Sequence, residues 1–160
     1  MSDNNAGLYN EQGIHLTKDA FVVIIKTAWN ATIVNALEEG AIKILQEKQI
    51  AFQTITIPGA FEIPFTIKHY WESSTKKPAA FIALGTIIRG DTSHFEYVCK
   101  AVTDGVLQLN LSLPVPTIFG VLTVENELQA KARIGGKHGH KGEEAALTAI
   151  QMIALTSRKL

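Results

Sequence analysis

The sequence predicts an α/β fold: a parallel four-stranded sheet with helices over both faces. Three observations predict it. Four short, apolar, β-branched runs read as strands buried on both sides. The segments between them carry apolar residues at spacings of three and four, as core-facing helices do. Strands that alternate with helices argue for parallel pairing, and each crossover then lays a helix over the sheet, which builds three layers. The 160 residues suit one domain with one core. That domain is expected over residues 21–160, and residues 1–20 form a polar arm with a short strand near His15.

The first strand is residues 21–26 (FVVIIK), closed by Trp29 and Asn30. Val34, Leu37, Ala41, Ile44 and Leu45 give the stripe of a helix over 31–49. Residues 51–57 are the second strand, ended by Pro58 and Gly59. A helix follows over 61–71, with Pro64 in its first turn, where a missing N–H costs nothing. The third strand, 79–86, leads into a polar loop at 87–92. Ser93 with Glu96 three residues on reads as a capping box, and Cys99, Val102, Val106 and Leu109 carry that helix toward Pro114. Residues 115–123 are the fourth strand. A short helix at 126–133, a glycine-rich connection at 135–142 and an alanine-rich helix at 143–157 complete the chain.

Composition narrows the function. Hydrophobic residues are 46% of the chain and charged ones 19%, enough apolar material for a core. Fifteen Lys plus Arg balance fifteen Asp plus Glu, so no global field draws the protein to nucleic acid or to a membrane surface. Any anion site is local, and Arg89 and Arg133, which lie beside glycines, are the positions to inspect for one. A single cysteine, Cys99, excludes a disulfide framework, a zinc ribbon and an iron–sulfur site, and fits a reducing cytoplasm. No apolar run reaches the roughly 18 residues of a membrane span, and the first twenty residues are polar, without the basic start and apolar stretch of a signal peptide. No GxGxxG, GxxxxGK[ST] or GxSxG occurs, so dinucleotide binding, P-loop chemistry and a serine nucleophile elbow lack their geometry. A phosphoacceptor domain needs carboxylates after strands one and three, where this chain has Lys26-Thr27 and Thr86.

Ligands of open parallel sheets bind at the carboxyl ends of strands, so the segments after each strand carry the chemistry. After strand three, Gly90, Asp91 and Thr92 precede a helix N-terminus, whose free N–H groups favour an anion, and His94 in the first turn can exchange protons with a ligand there. The plain alternative is a cap and an exposed histidine. After strand two, Glu62 can accept hydrogen bonds from the hydroxyls of a polyol, or merely favour the helix dipole. After strand one, Trp29 offers a stacking face for a planar heterocycle, although tryptophan is more often a core residue. Arg133, Lys137 and Lys141 lie among flexible glycines, as phosphate contacts or as a solvated linker. His138 and His140 lack a third ligand, so no metal is assigned.

Four motifs in order resemble the lumazine synthase family: PGAFEIP at 58–64, ALGTIIRGDTSHFEYV at 83–98, PTIFGVLT at 116–123, and ARIGGKHGHKGEEAA at 132–146. The resemblance runs from about Phe21 to Ile153. It implies a flavodoxin-like three-layer α/β/α sandwich, with a short N-terminal strand added from or to a neighbouring subunit. The implied reaction, in riboflavin biosynthesis, condenses 5-amino-6-(D-ribitylamino)uracil with 3,4-dihydroxy-2-butanone 4-phosphate. The products are 6,7-dimethyl-8-ribityllumazine, phosphate and water, with no metal or organic cofactor. By motif, Trp29 stacks on the pyrimidine, Ile87 and Ile88 contact it through backbone, and Ala60 and Glu62 hold the ribityl chain. Gly90, Asp91 and Thr92 cradle phosphate and His94 transfers protons, while Phe119, Arg133 and Lys141 come from the neighbour in a homo-pentamer. The connection of 133–142, which aligns without insertion, favours a shell of sixty subunits, whereas Trp29, found in family members that stop at pentamers, favours the pentamer alone. Three positions depart from the family pattern. Trp29 replaces the commoner phenylalanine and enlarges the stacking face, Ala28 lacks a frequent arginine, and His140 stands in place of asparagine beside Lys141. A noncatalytic flavin or lumazine carrier on the same fold is the alternative, and it predicts binding without turnover.

Overall fold

The computed structural model describes residues 19–157; the N-terminal arm and the strand expected near His15 lie outside the described residues, apart from Asp19 and Ala20. In chain order the elements are β1 (Phe21–Thr27), α1 (Ala31–Glu47), β2 (Ala51–Ile57), a 3-10 turn (Ala60–Glu62), α2 (Ile63–Ser73), β3 (Ala80–Ile88), α3 (His94–Ser112), β4 (Thr117–Val124), α4 (Glu127–Lys131), β5 (Ile134–Gly136), β6 (Gly139–His140) and α5 (Lys141–Thr156). The main sheet has four parallel strands, as expected from the sequence, and runs in the order β2-β1-β3-β4.

The two-residue period of a strand sorts its side chains between two cores. On one face Val22, Ile24, Ile82, Leu84, Ile118 and Leu122 pack against Ile33, Leu37 and Leu45 of α1 and Ala146, Ala149 and Ile153 of α5. On the other, Val23, Ile25, Phe81, Ala83 and Val121 meet Ile63 and Ile67 of α2 and Val102, Val106 and Leu109 of α3. Both faces of β1 and β3 are therefore buried, which is why their sequences are continuously apolar.

Several boundaries differ from the sequence reading. β3 continues through Ile87 and Ile88, which pair with Thr123 and Val124 of β4, so these two isoleucines end a strand instead of opening a loop. Ser93 does not form the expected capping box. Its backbone is helical and its side chain makes no cap bond, and the Glu96 carboxylate turns to Arg89. The glycine-rich connection is ordered as an antiparallel ribbon, β5 with β6. Gly135 (φ 101°) and Gly139 (φ 77°) take left-handed conformations that side chains resist, so glycine there makes the ribbon possible.

Helices α1 and α5 are in near-backbone contact. A Cβ on Gly142 would stand 1.9 Å from the Leu37 carbonyl oxygen, so any side chain must push the helices apart. Gly142→Ala should cost about 1–3 kcal/mol or more of unfolding free energy, the usual range for an overfilled site. A denaturant midpoint equal to that of the parent chain would contradict this close approach.

Candidate active site

The exits of β1, β2 and β3 are bound to one another. Ala28 N–H donates to the Ile57 carbonyl (2.7 Å) and Trp29 N–H to that of Pro58 (3.3 Å), while Asn30 Nδ2 donates to the Thr86 carbonyl (2.8 Å). Asn30 holds φ 57°, a left-handed conformation that asparagine tolerates better than most residues. This junction leaves Trp29 74% exposed, so the commoner core reading does not hold for it. Asn30 was legible in the sequence only as a strand terminator; its partner lies 56 residues away. Across the gap, Ala60 and Glu62 form the 3-10 turn after β2, and the exposed Glu62 carboxylate folds back beside Gly59.

Beyond Ile88 the chain leaves β3 through residues 89–93. Gly90, Asp91, Thr92 and His94 are all exposed. A Cβ on Gly90 would meet nothing within 4 Å, so no neighbouring atom demands glycine there and the space above the loop is open. His94 N–H points to Thr92 Oγ1 at 3.4 Å, a long contact. Arg89, a candidate for the anion site, is instead engaged within the protein, with Glu96 and with Glu125. The hydrogen bond from Arg89 holds the Glu96 carboxyl below its ordinary value of 4.5. Because that value is depressed, the tie is complete above the ordinary carboxylate range and is lost as pH falls through the lowered value. It therefore persists across neutral pH. Burial, foremost, pushes the Cys99 thiol up, which leaves it protonated at neutral pH and a poor nucleophile.

Phe119, Arg133 and Lys141 lie elsewhere. They line a cleft of about 1260 Å³ along β4, and none of Trp29, Ala60, Glu62, Gly90, Asp91, Thr92 or His94 reaches it. Phe119 is 41% exposed in this cleft. The ribbon returns the chain on itself, so that Lys141 N–H donates to the Arg133 carbonyl at 2.8 Å and the two cationic residues become neighbours. Lys141 Nζ pairs with Glu144 Oε2 at 2.7 Å. Glu144 was missed in the sequence, where its spacing of three from Lys141 at a helix start was the available signal. Among the described residues, the Arg133 guanidinium makes no hydrogen bond or ion pair.

His140, the departure expected to add a titratable group beside Lys141, serves as a structural cap. Its Nδ1 accepts from Glu143 N–H at 3.4 Å and its ring lies against Gly40 of α1, where a Cβ would come within 2.2 Å of it. Asparagine can cap in the same way. Among the described residues no group of three or more His, Cys, Asp and Glu is placed to hold a metal ion, and no helix is long and apolar enough to cross a membrane.

Fold and side chains together define the class: a parallel α/β protein, covered on both faces, whose aromatic and polar groups gather at strand ends, where such sheets take small molecules. Comparison with known proteins narrows this. The family model of 6,7-dimethyl-8-ribityllumazine synthase matches residues 19–157. A 6,7-dimethyl-8-ribityllumazine synthase of Bdellovibrio bacteriovorus is 48% identical over 136 residues, covering 84% of this chain and 74% of the relative. That of Porphyromonas gingivalis is 42% identical over 155 residues, 95% of each chain, and that of Cytophaga hutchinsonii is 39% identical over 158 residues, 97% of this chain and 98% of the relative. The chain belongs to the 6,7-dimethyl-8-ribityllumazine synthase family. It is an enzyme of riboflavin biosynthesis with lumazine synthase activity, which decides against the noncatalytic carrier.

Proposed function

We propose that the reaction takes place between neighbouring copies of the chain, with 5-amino-6-(D-ribitylamino)uracil and 3,4-dihydroxy-2-butanone 4-phosphate as the substrates. The observation that carries this reading is the separation of the candidate residues onto two surfaces, one at the strand ends and one in the β4 cleft. Neither set is sufficient alone. Trp29 stacks on the pyrimidine, Ile87 and Ile88 offer it backbone groups, and Ala60 and Glu62 hold the ribityl chain. Gly90, Asp91 and Thr92 receive the phosphate, which the neighbour's Arg133 and Lys141 reach from across the interface, with its Phe119 closing the apolar side.

Imine formation, loss of phosphate and ring closure are proton transfers and bond rearrangements. Holding two substrates in contact, moving protons and stabilising the departing phosphate are what they require. His94, beside the loop, moves the protons. Much of the rate comes from positioning, so removal of His94 lowers turnover without abolishing it.

The assembly that completes the site is a cyclic pentamer. Among the described residues β2 and β4 each pair on one side only, which leaves edges for a strand of a neighbour's arm. The short ribbon between α4 and α5 carries no insertion and supports stacking of pentamers into a larger shell. A cytoplasmic location accords with the lone Cys99. The decisive measurement is native mass with lumazine formation followed on the same fractions. Activity is expected only in species of five or more 17.4 kDa chains. An active monomer overturns the shared site.

A further inference from the structure

We propose that Arg89 is a positioning residue that clamps the phosphate-receiving loop shut on itself and onto the end of β4. The proposal rests on the assignment of Gly90, Asp91 and Thr92 to the phosphate, and it adds to that assignment the device that holds them in place.

Three contacts leave one guanidinium. Arg89 Nε donates to Glu125 Oε2 at 2.5 Å, just past the end of β4, and its terminal nitrogen donates to Glu96 Oε1 in the first turn of α3. The guanidinium carbon lies 4.2 Å from the centroid of the Phe95 ring. The backbone adds a fourth tie, Arg89 N–H to the Val124 carbonyl at 2.9 Å. Arg89 stands immediately before Gly90, and Phe95 and Glu96 stand immediately after His94. The clamp thus spans the loop, joining the residue that enters it to the turn that receives it.

Within the loop itself little else restrains the chain. Among the described residues Gly90 has no neighbour that a Cβ would touch, Ser93 makes no side-chain cap bond, and Thr92 offers only its 3.4 Å contact with His94 N–H. A loop with open space above it and few internal bonds depends on its ends for shape. A planar fork that serves two carboxylates and stacks on a ring can hold both ends at once, and the point charge of a lysine cannot. The same contacts argue against the simpler role: Nε and one terminal nitrogen of Arg89 are already directed at two acids, so this cation neutralises protein carboxylates and leaves the ligand charge to Arg133.

The test is a cycle of Arg89→Gln, Glu125→Gln and the double variant, with KM measured for each substrate separately and assembly checked by native mass. Each single variant is expected to raise KM for the butanone phosphate about fivefold, as loss of one or two exposed charge contacts does. The double variant should be no worse than the more impaired single one, and KM for the ribityl substrate and kcat should stay within about twofold. If Arg89 touched the phosphate itself, Glu125→Gln would free it and tighten binding, which overturns the clamp. Unchanged KM values, additive effects, or equal losses for both substrates overturn it as well. If Arg89→Gln fails to assemble, Glu125→Gln alone decides by the same readings. A parallel Thr92→Val variant separates the two levels. If Thr92→Val weakens the phosphate substrate and the cycle does not, only the clamp fails; if none of the variants weakens it, the phosphate assignment fails with it.

Discussion

Two chains that are each severely impaired should regain activity when their subunits are mixed. One carries Trp29→Ala with His94→Ala and lacks the strand-end half of the site; the other carries Arg133→Ala with Lys141→Met and lacks the cleft half. Every site in either homo-oligomer is damaged. In a mixed ring, a strand-end half from the second chain meets a cleft half from the first wherever chance orders them so. Random assembly at equal amounts restores about a quarter of the sites, since each half is intact with even odds and the interface is heterologous. The measurement is lumazine formation after dissociation and joint reassembly, or after co-expression. A mixture no more active than its components would place the whole site within one chain, which contradicts the separation of Trp29, Glu62 and His94 from Phe119, Arg133 and Lys141.

Arg133→Ala alone should raise KM for the butanone phosphate by roughly ten- to a hundredfold. Removal of one charge-assisted contact costs about 1.5–3 kcal/mol, and each 1.4 kcal/mol is a factor of ten. The structure adds a reason to expect the upper part of that range. Because the Arg133 guanidinium makes no hydrogen bond or ion pair among the described residues, its donors need not be released from a protein acid before they meet the ligand. Lys141 differs, for its ammonium is already shared with Glu144 at 2.7 Å. The ribityl substrate should be indifferent to Arg133→Ala, and Arg133→Lys should recover part of the loss as a charge without the fork. Equal KM values for the butanone phosphate in parent and variant would remove Arg133 from the phosphate site.

The sequence displays those parts of the molecule that local chemistry decides. β1 and β3 were legible because strands buried on both faces leave no polar positions, and Pro58, Pro64 and Pro114 mark where elements stop or start. α1 ends two residues before its expected limit, at Glu47, a matter of how the last turn frays. What was hidden depends on distant partners. Ile87 and Ile88 belong to a strand because β4 extends far enough to pair with them. Ser93 has the right neighbours for a capping box, yet Glu96 is drawn to Arg89, whose own placement is fixed by Glu125, 36 residues away. β5 and β6, of three and two residues, are too short to show a period. Of the candidate site, the residue types were legible in the sequence and the resemblance implied their division between two subunits, but the ribbon that makes Arg133 and Lys141 neighbours was not legible.

Gly40 gives this division a further meaning. It sits inside α1, where alanine would make a better helix by about 0.5–1 kcal/mol, yet the imidazole of His140 occupies the space that a methyl group would need. That ring caps the helix that begins with Lys141, and the backbone of Lys141 is joined to Arg133. A change on the rear of the first helix is thus transmitted, through one ring and one peptide bond, to the two cations of the cleft. For anyone selecting variants of this enzyme by growth without added riboflavin, substitutions at Gly40 will read as defects of substrate affinity though they lie in no pocket. An attempt to stiffen α1 by filling its glycine will trade helix stability against the register of the charges.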